Sequence, residues 1–151
     1  MKIVIAGAGE VGSHLAKMLS GEYHDITVVD DDPKRLESIA GMADVIVIEG
    51  DCTTFSVLKK ASVRKADLFI AVRPEETSNI ISAILAKQLG ARKSIARIDN
   101  NEYLEPNNKE MFIDMGIDYL FYPEQVAADE VINLLGHTST TEYVDFSGGK
   151  L

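Results

Sequence analysis

The sequence is short of the residues that staple or anchor a small protein. It holds one cysteine, Cys52, no tryptophan and four prolines in 151 residues. A single cysteine excludes an intramolecular disulfide framework and any all-cysteine metal site. Lysine and arginine number 15 against 24 aspartates and glutamates, a formal net charge of −9. That balance leaves no basic stripe to neutralise phosphates, so no nucleic acid partner is expected. It also disfavours adhesion to anionic lipid heads. No apolar run approaches the roughly 20 residues that span a bilayer, so no direct membrane insertion is expected. Strand-like residues follow Met1 at once, without a secretory leader, and the expectation is a cytoplasmic, reduced protein. Catalytic patterns are missing as well: there is no Ser/His/Asp set, no HExxH and no metal-spaced cysteines. His14, His24 and His137 read as solvated histidines, and Cys52 as a packing residue. Neither catalytic nor metal residues are predicted.

What is present is a rhythm. Six short apolar segments, residues 2–6, 26–30, 45–48, 68–72, 94–98 and 119–122, recur at intervals near two dozen residues. Most are Val- and Ile-rich and almost continuously apolar, as strands are when both faces of a parallel sheet are covered. Amphipathic patterns lie between them. Val11, Leu15, Met18 and Leu19 line one helical face, and Ile80, Ile81, Ile84, Leu85 and Leu89 line another. Thr77 or Ser78 is placed to cap that second helix and Gly90 to end it. Strand and helix alternating over short connections predict right-handed crossovers. The fold class is α/β, a Rossmann-like doubly wound, six-stranded parallel sheet with helices on both faces.

Towards the carboxy terminus, residues 99–110 carry Pro106 and four asparagines and read as a surface loop. A short helix is expected over 111–116, and Pro123 stops the sixth strand. The run EQVAADEVINLL then predicts a last helix, apolar on more than one face, covered by another subunit or docked on the same domain. The expected organisation is a nucleotide-binding domain over 1–135, a polar linker over 136–141, and over 142–151 the start of a truncated carboxy-terminal domain, because a lone strand there has no partner.

The loop after the first segment reads GAGEVG, giving Gly7, Gly9 and Gly12 the G-x-G-x-x-G spacing. The first glycine allows the tight turn, the second lets a pyrophosphate approach the backbone, and the third lets the helix pack close to the strand. A strand before and an amphipathic helix after are the context that a dinucleotide loop requires. The second segment ends ITVVD, placing Asp30 eighteen residues after Gly12. An acid there accepts hydrogen bonds from ribose hydroxyls. Asp31 and Asp32 beside it add repulsion toward a 2′-phosphate, favouring NAD(H) or an adenosine nucleotide over NADP(H). The other reading of DDDP is an acidic turn. In GDCT, after the third segment, Asp51 is placed to border an adenine. Arg97, inside an otherwise apolar segment, reads as an anion contact or as the partner of a rim carboxylate.

With GAGEVG, ITVVD, GDCTT, ADLFIAV, IARI and YPEQVAA in order, the chain resembles the TrkA amino-terminal domain family, also called RCK or KTN domains. The resemblance runs from Met1 to about Leu135, and VDFSGGKL resembles the opening of the small domain that usually follows. It implies a cytosolic regulatory subunit, peripheral to the inner face of the cell membrane, that gates a membrane-embedded potassium transporter subunit as a homodimer or larger ring. It implies NAD(H), ATP or ADP as the cofactor. On that resemblance the phosphates fall to Gly7, Gly9 and Gly12, and Ala8, Glu10 and Val11 of the same loop are cofactor-binding residues. The ribose falls to Asp30 with Asp31 beside it, and the adenine edge to Asp51 and Cys52. Val72, Arg73, Asn79 and Arg97 complete the site. Glu124 matches a glutamate near the nucleotide that in some members helps hold a divalent cation; its other reading is a first-turn acid favoured by the helix dipole. Glu10 stands where ATP-binding relatives carry an arginine, which tilts the expectation toward NAD(H). A dehydrogenase needs a second layer of substrate and acid/base residues for which one domain leaves no room. Sensing without turnover is therefore expected, with the cofactor-binding fragment of an NAD-dependent oxidoreductase as the alternative.

Overall fold

The computed structural model describes residues 1–124, 131–132 and 134–135. It divides into two compact units, Met1–Phe121 and Tyr122–Leu151.

In the first unit the apolar runs form six strands: β1 (Lys2–Ala6), β2 (Asp25–Asp30), β3 (Ile46–Glu49), β4 (Leu68–Ala71), β5 (Lys93–Arg97) and β6 (Tyr119–Phe121). Five helices connect them: α1 (Glu10–Gly21), α2 (Pro33–Met42), α3 (Phe55–Lys60), α4 (Glu76–Leu89) and α5 (Pro106–Asp114). Every strand pair is parallel, in the order β3-β2-β1-β4-β5-β6. Right-handed crossovers then put α1 and α2 on one face and α4 and α5 on the other. Side chains alternate accordingly. Ile3, Ile5, Ile26, Val28 and Ile70 pack with Ala16, Leu36 and Ile39 of α1 and α2. Each large side chain so buried stabilises the fold by roughly 1.5–3 kcal/mol.

Several expectations are corrected by the packing. Helix α4 buries Asn79, Ser82, Ala83 and Ala86, not its large apolar stripe, and Ile81 is 47% exposed. The strands behind it bury Ala71, Ser94 and Ala96 together with the large Phe69. In α1 the buried centre is Gly12 and Ala16; Val11, Leu15 and Leu19 flank it, while Met18 faces outward. Neither Thr77 nor Ser78 caps α4, because the helix begins earlier, at Glu76, just past Pro74. Gly90 does end it, with φ +120°. Residues 99–110 are not a loop throughout. Asn100 caps a 3-10 turn over Asn101–Leu104, and Pro106 occupies the first turn of α5, where its missing N–H costs nothing. Strand β3 is an edge with Ile46 exposed, not a strand covered on both faces.

In the second unit Tyr122 donates a hydrogen bond to Glu124 Oε2 at 2.7 Å. Val131, Ile132, Leu134 and Leu135 are helical and exposed. The rest of the expected last helix, the linker and the final strand lie outside the described residues.

Candidate functional site

Strands β2 and β4 flank β1, with Ala6 opposite both Val29 and Ala71, and the chain reverses its winding direction between β1 and β4. A crevice opens at the carboxyl ends of the strands at such a switch point. Gly7 enters it with φ +118°, its N–H donating to the Val29 carbonyl at 2.8 Å. A Cβ at Gly7 would lie 3.2 Å from the Arg73 N and Cγ. At Gly12 a Cβ would collide with the Gly7 carbonyl, approaching its carbon to 2.8 Å. Helix α1 can start where it does only because position 12 has no side chain. Gly9 differs: a Cβ there meets nothing within 4 Å.

Gly9 is also the N-cap of α1 and supplies no side-chain cap. The first-turn amides of a helix lack intrahelical partners and carry the positive end of its dipole. Open space at Gly9 beside a helix start without a side-chain cap is compatible with an anion cradle. Glu10, in the first turn, adds one negative charge beside it. Ser13, absent from the residues predicted, ties the loop down by donating from its hydroxyl to the Ala8 carbonyl at 2.9 Å.

Asp30 ends β2 and is 1% exposed. Its Oδ2 accepts the Ala8 N–H at 2.7 Å and its Oδ1 accepts the Asp32 N–H at 2.8 Å. The carboxylate thus clamps the glycine loop to the start of α2. A carboxylate offers about four lone-pair sites, so acceptor capacity remains beyond these two bonds. Asp32 is the N-cap of α2, accepting the Lys34 N–H at 2.9 Å, with Pro33 following. Asp31, next along, is open to solvent.

Arg73 crosses the rim to reach it. Its side chain is only 14% exposed, with Nη2 3.3 Å from Asp31 Oδ2 and Nε 3.2 Å from Glu75 Oε2. Burial works against its charge, but the bonds to Asp31 and Glu75 outweigh burial and raise its pKa above the ordinary value. Behind it sits Asn79, 1% exposed. The Asn79 Oδ1 accepts the Arg73 N–H at 2.8 Å, and Nδ2 donates to the carbonyls of Arg73 at 2.7 Å and Arg97 at 3.0 Å. Asn79 therefore positions two arginines by holding their backbones. Glu76 does the same for the next turn, accepting the N–H groups of Asp99 and Asn100.

Asp51 accepts the Thr53 N–H at 2.8 Å and its hydroxyl at 2.7 Å, and these bonds hold its carboxyl below the usual carboxylate range. D-x-T is an Asx-turn signature that the sequence displays. Cys52 is 1% exposed, and burial pushes its thiol pKa up. Val72 is buried against Gly12, and its N–H donates to the Ala6 carbonyl at 2.9 Å. Arg97 pairs with Asp99, Nε to Oδ1, at 3.8 Å, too long for a hydrogen bond. Its buried Nε has no hydrogen-bond partner. The pairing with Asp99 matches the rim-carboxylate reading of Arg97. The predicted residues of the first unit thus gather at the ends of β1, β2, β3, β4 and β5; Glu124 belongs to the second unit. Among the described residues, no cluster of three or more His, Cys, Asp or Glu is arranged to hold a metal ion, and no helix is long and apolar enough to cross a membrane.

An all-parallel sheet in this strand order, with a glycine turn at its switch point, defines a Rossmann-type α/β domain. The TrkA-N domain model matches residues 3–123, and the chain belongs to that family. It is 41% identical over 152 residues to the Trk system potassium uptake protein TrkA homolog of Archaeoglobus fulgidus, covering 100% of this chain and 34% of the relative. To the Trk system potassium uptake protein TrkA of Haemophilus influenzae it is 33% identical over 153 residues, covering 100% of this chain and 33% of that protein. The chain thus spans about a third of the length of these relatives. Among solved structures, the TrkA-N domain of inner membrane protein ybaL from Escherichia coli superposes with a TM-score of 0.76 at 18% identity, covering 89% of this chain and 96% of that one. The GsuK channel bound to NAD gives 0.69 at 22% identity, covering 92% and 24%. GsuK bound to ADP gives 0.68 at 22%, covering 91% and 34%. At these identities the likeness is one of fold.

Proposed function

We propose that this chain is the nucleotide-sensing part of a potassium uptake regulator, acting on a membrane-embedded transporter subunit from the cytoplasmic side. The observation that carries the reading is the open space at Gly9 above the uncapped amino terminus of α1. The loop amides would hold phosphates, Asp30 and Asp31 would meet the ribose, Asp51 and Cys52 would border the adenine, and Arg97 would supply a counter-charge. The relatives named for potassium uptake and the solved GsuK structures with NAD and ADP support this assignment.

NAD(H) is the preferred ligand. Glu10 places a carboxylate at the helix start, where extra phosphate charge would be repelled. Asp30, Asp31 and Asp32 crowd the ribose end, and Arg73, already paired with Asp31 and Glu75, is not free to serve a 2′-phosphate. The chain would signal without turnover: a ligand shifts a conformational equilibrium only by its differential affinity for the two states, typically ~1–3 kcal/mol. The half-exposed apolar face of α4, with Ile81 at its centre, supports assembly as a homodimer or ring.

Calorimetric titration of the stripped protein with NADH, NAD+, ATP, ADP and NADPH tests the reading. NADH or NAD+ should bind and NADPH should not. Glu10→Arg should raise ATP affinity by roughly tenfold, the value of one added charge-assisted hydrogen bond. Binding of none of the five nucleotides would refute the sensing role.

A further inference from the structure

The opposite end of the sheet carries a second concavity that the reading above does not use. Residues 52–66 contain no aspartate or glutamate, yet hold Lys59, Lys60, Arg64 and Lys65. The other 11 basic residues share the chain with all 24 acids. This basic stretch runs from the end of α3 through a 3-10 turn, Val63–Lys65, to the start of β4. Leu68 of β4 pairs with Ile3 near the start of β1, whereas the glycine loop follows the end of β1, so the two sites lie at opposite ends of the strands.

Lys59, Arg64 and Lys65 line a cavity of about 620 Å³ with the last turn of α4. Among the described residues none of the three forms an ion pair. Half-buried Leu89 adds apolar lining over fully buried Leu58, and Ser62 and Gln88 add hydrogen-bonding groups. The volume falls within the ~300–1,000 Å³ of small-molecule sites. The cavity lining is seven residues, against the roughly 20–30 a side of a stable protein–protein interface. A net charge of −9 opposes approach to an anionic bilayer. What remains complementary is a free small molecule with an anionic head for the cations and an apolar or aromatic body for Leu89 and the stems of the basic side chains. The fork of Arg64 matches phosphate oxygens.

We propose that the cavity between α3 and the end of α4 is a second ligand site, for a phosphate-bearing organic anion distinct from the nucleotide at the glycine loop. The proposal does not depend on the glycine loop binding anything.

The test is an NMR titration of the full chain with phenyl phosphate, with inorganic phosphate alongside. Phenyl phosphate should give saturable amide shifts in residues 58–65 and 88–90, at lower concentrations than inorganic phosphate. Lys59→Gln with Lys65→Gln, both at exposed positions, should weaken those shifts by about tenfold while NADH titration stays as in wild type. Shifts confined to residues 7–12 would overturn the proposal. So would a double variant that loses thermal stability but titrates unchanged, since the lysines would then merely complement helix ends. Flotation with phosphatidylglycerol vesicles separates the remaining source of phosphate: vesicle binding by wild type, lost in the double variant, would assign the patch to a lipid surface and overturn the free-ligand reading.

Discussion

Replacing Gly12 and Gly9 by alanine should separate the stability of the glycine loop from its use. At Gly12 the new methyl would overlap the carbonyl of Gly7, with the carbonyl carbon at 2.8 Å. That neighbour is backbone, so no rotamer change relieves the clash. The loop has to shift by roughly an ångström, an overpacking cost near the ~3 kcal/mol end of the usual range. Alanine regains up to ~1 kcal/mol of helix propensity in α1. The net loss is about 2 kcal/mol, or roughly 4–8 °C in Tm for a chain of this size. At Gly9 the methyl meets nothing and φ is −72°. A poorer N-cap costs on the order of 1 kcal/mol, and the reduced freedom of the unfolded chain returns ~0.4–1 kcal/mol. Stability should therefore stay within about 0.5 kcal/mol of wild type. The same methyl fills the space above the helix amides, so NADH binding should fall while folding is kept. Urea denaturation and calorimetric titration on both variants measure the two effects. A Gly12→Ala protein of wild-type stability, or a Gly9→Ala protein that binds NADH as wild type does, would refute the reasoning.

Other outcomes follow from individual groups. Asp30→Asn should destabilise by about 1.5–3 kcal/mol in urea melts, because a buried carboxylate accepting two N–H groups is replaced by an amide that presents a donor to one of them. Asp118 is opposed by burial, yet its bonds to Lys87 at 2.8 Å and to the Ser94 N–H hold its carboxyl below the usual range. Its contribution is therefore complete above the ordinary carboxylate pKa of about 4 and is lost as pH falls through the lowered folded value. Asp118→Asn should have a lower urea midpoint at neutral pH and a shallower decline in acid. Cys52 should react with a thiol reagent at mildly alkaline pH far more slowly in the native protein than in urea, since it is 1% exposed with a raised thiol pKa; equal rates would place it at the surface.

The sequence by itself determined the order of elements, the parallel sheet and the glycine loop. Periodicity is local, and Gly7, Gly9, Gly12 and Asp30 stand in the order of strand, turn, helix and acid that a nucleotide loop requires. It misjudged whatever depended on the neighbour across the sheet. Ile80, Ile81, Ile84 and Leu85 form the more hydrophobic stripe of α4, but the face that α4 buries is Asn79, Ser82, Ala83 and Ala86. Pro106 read as a break and is instead the start of a helix, because a proline is permitted where no N–H partner is needed. For the proposed site, chain order pointed to Asp30 and Arg97, and the family resemblance implied Asn79. Only the tertiary structure decided that Asp30 clamps the loop, that Asn79 holds two arginine backbones, and that Arg97 keeps an unmatched buried donor. Those roles are set by hydrogen bonds between residues up to 22 positions apart, which no local pattern encodes.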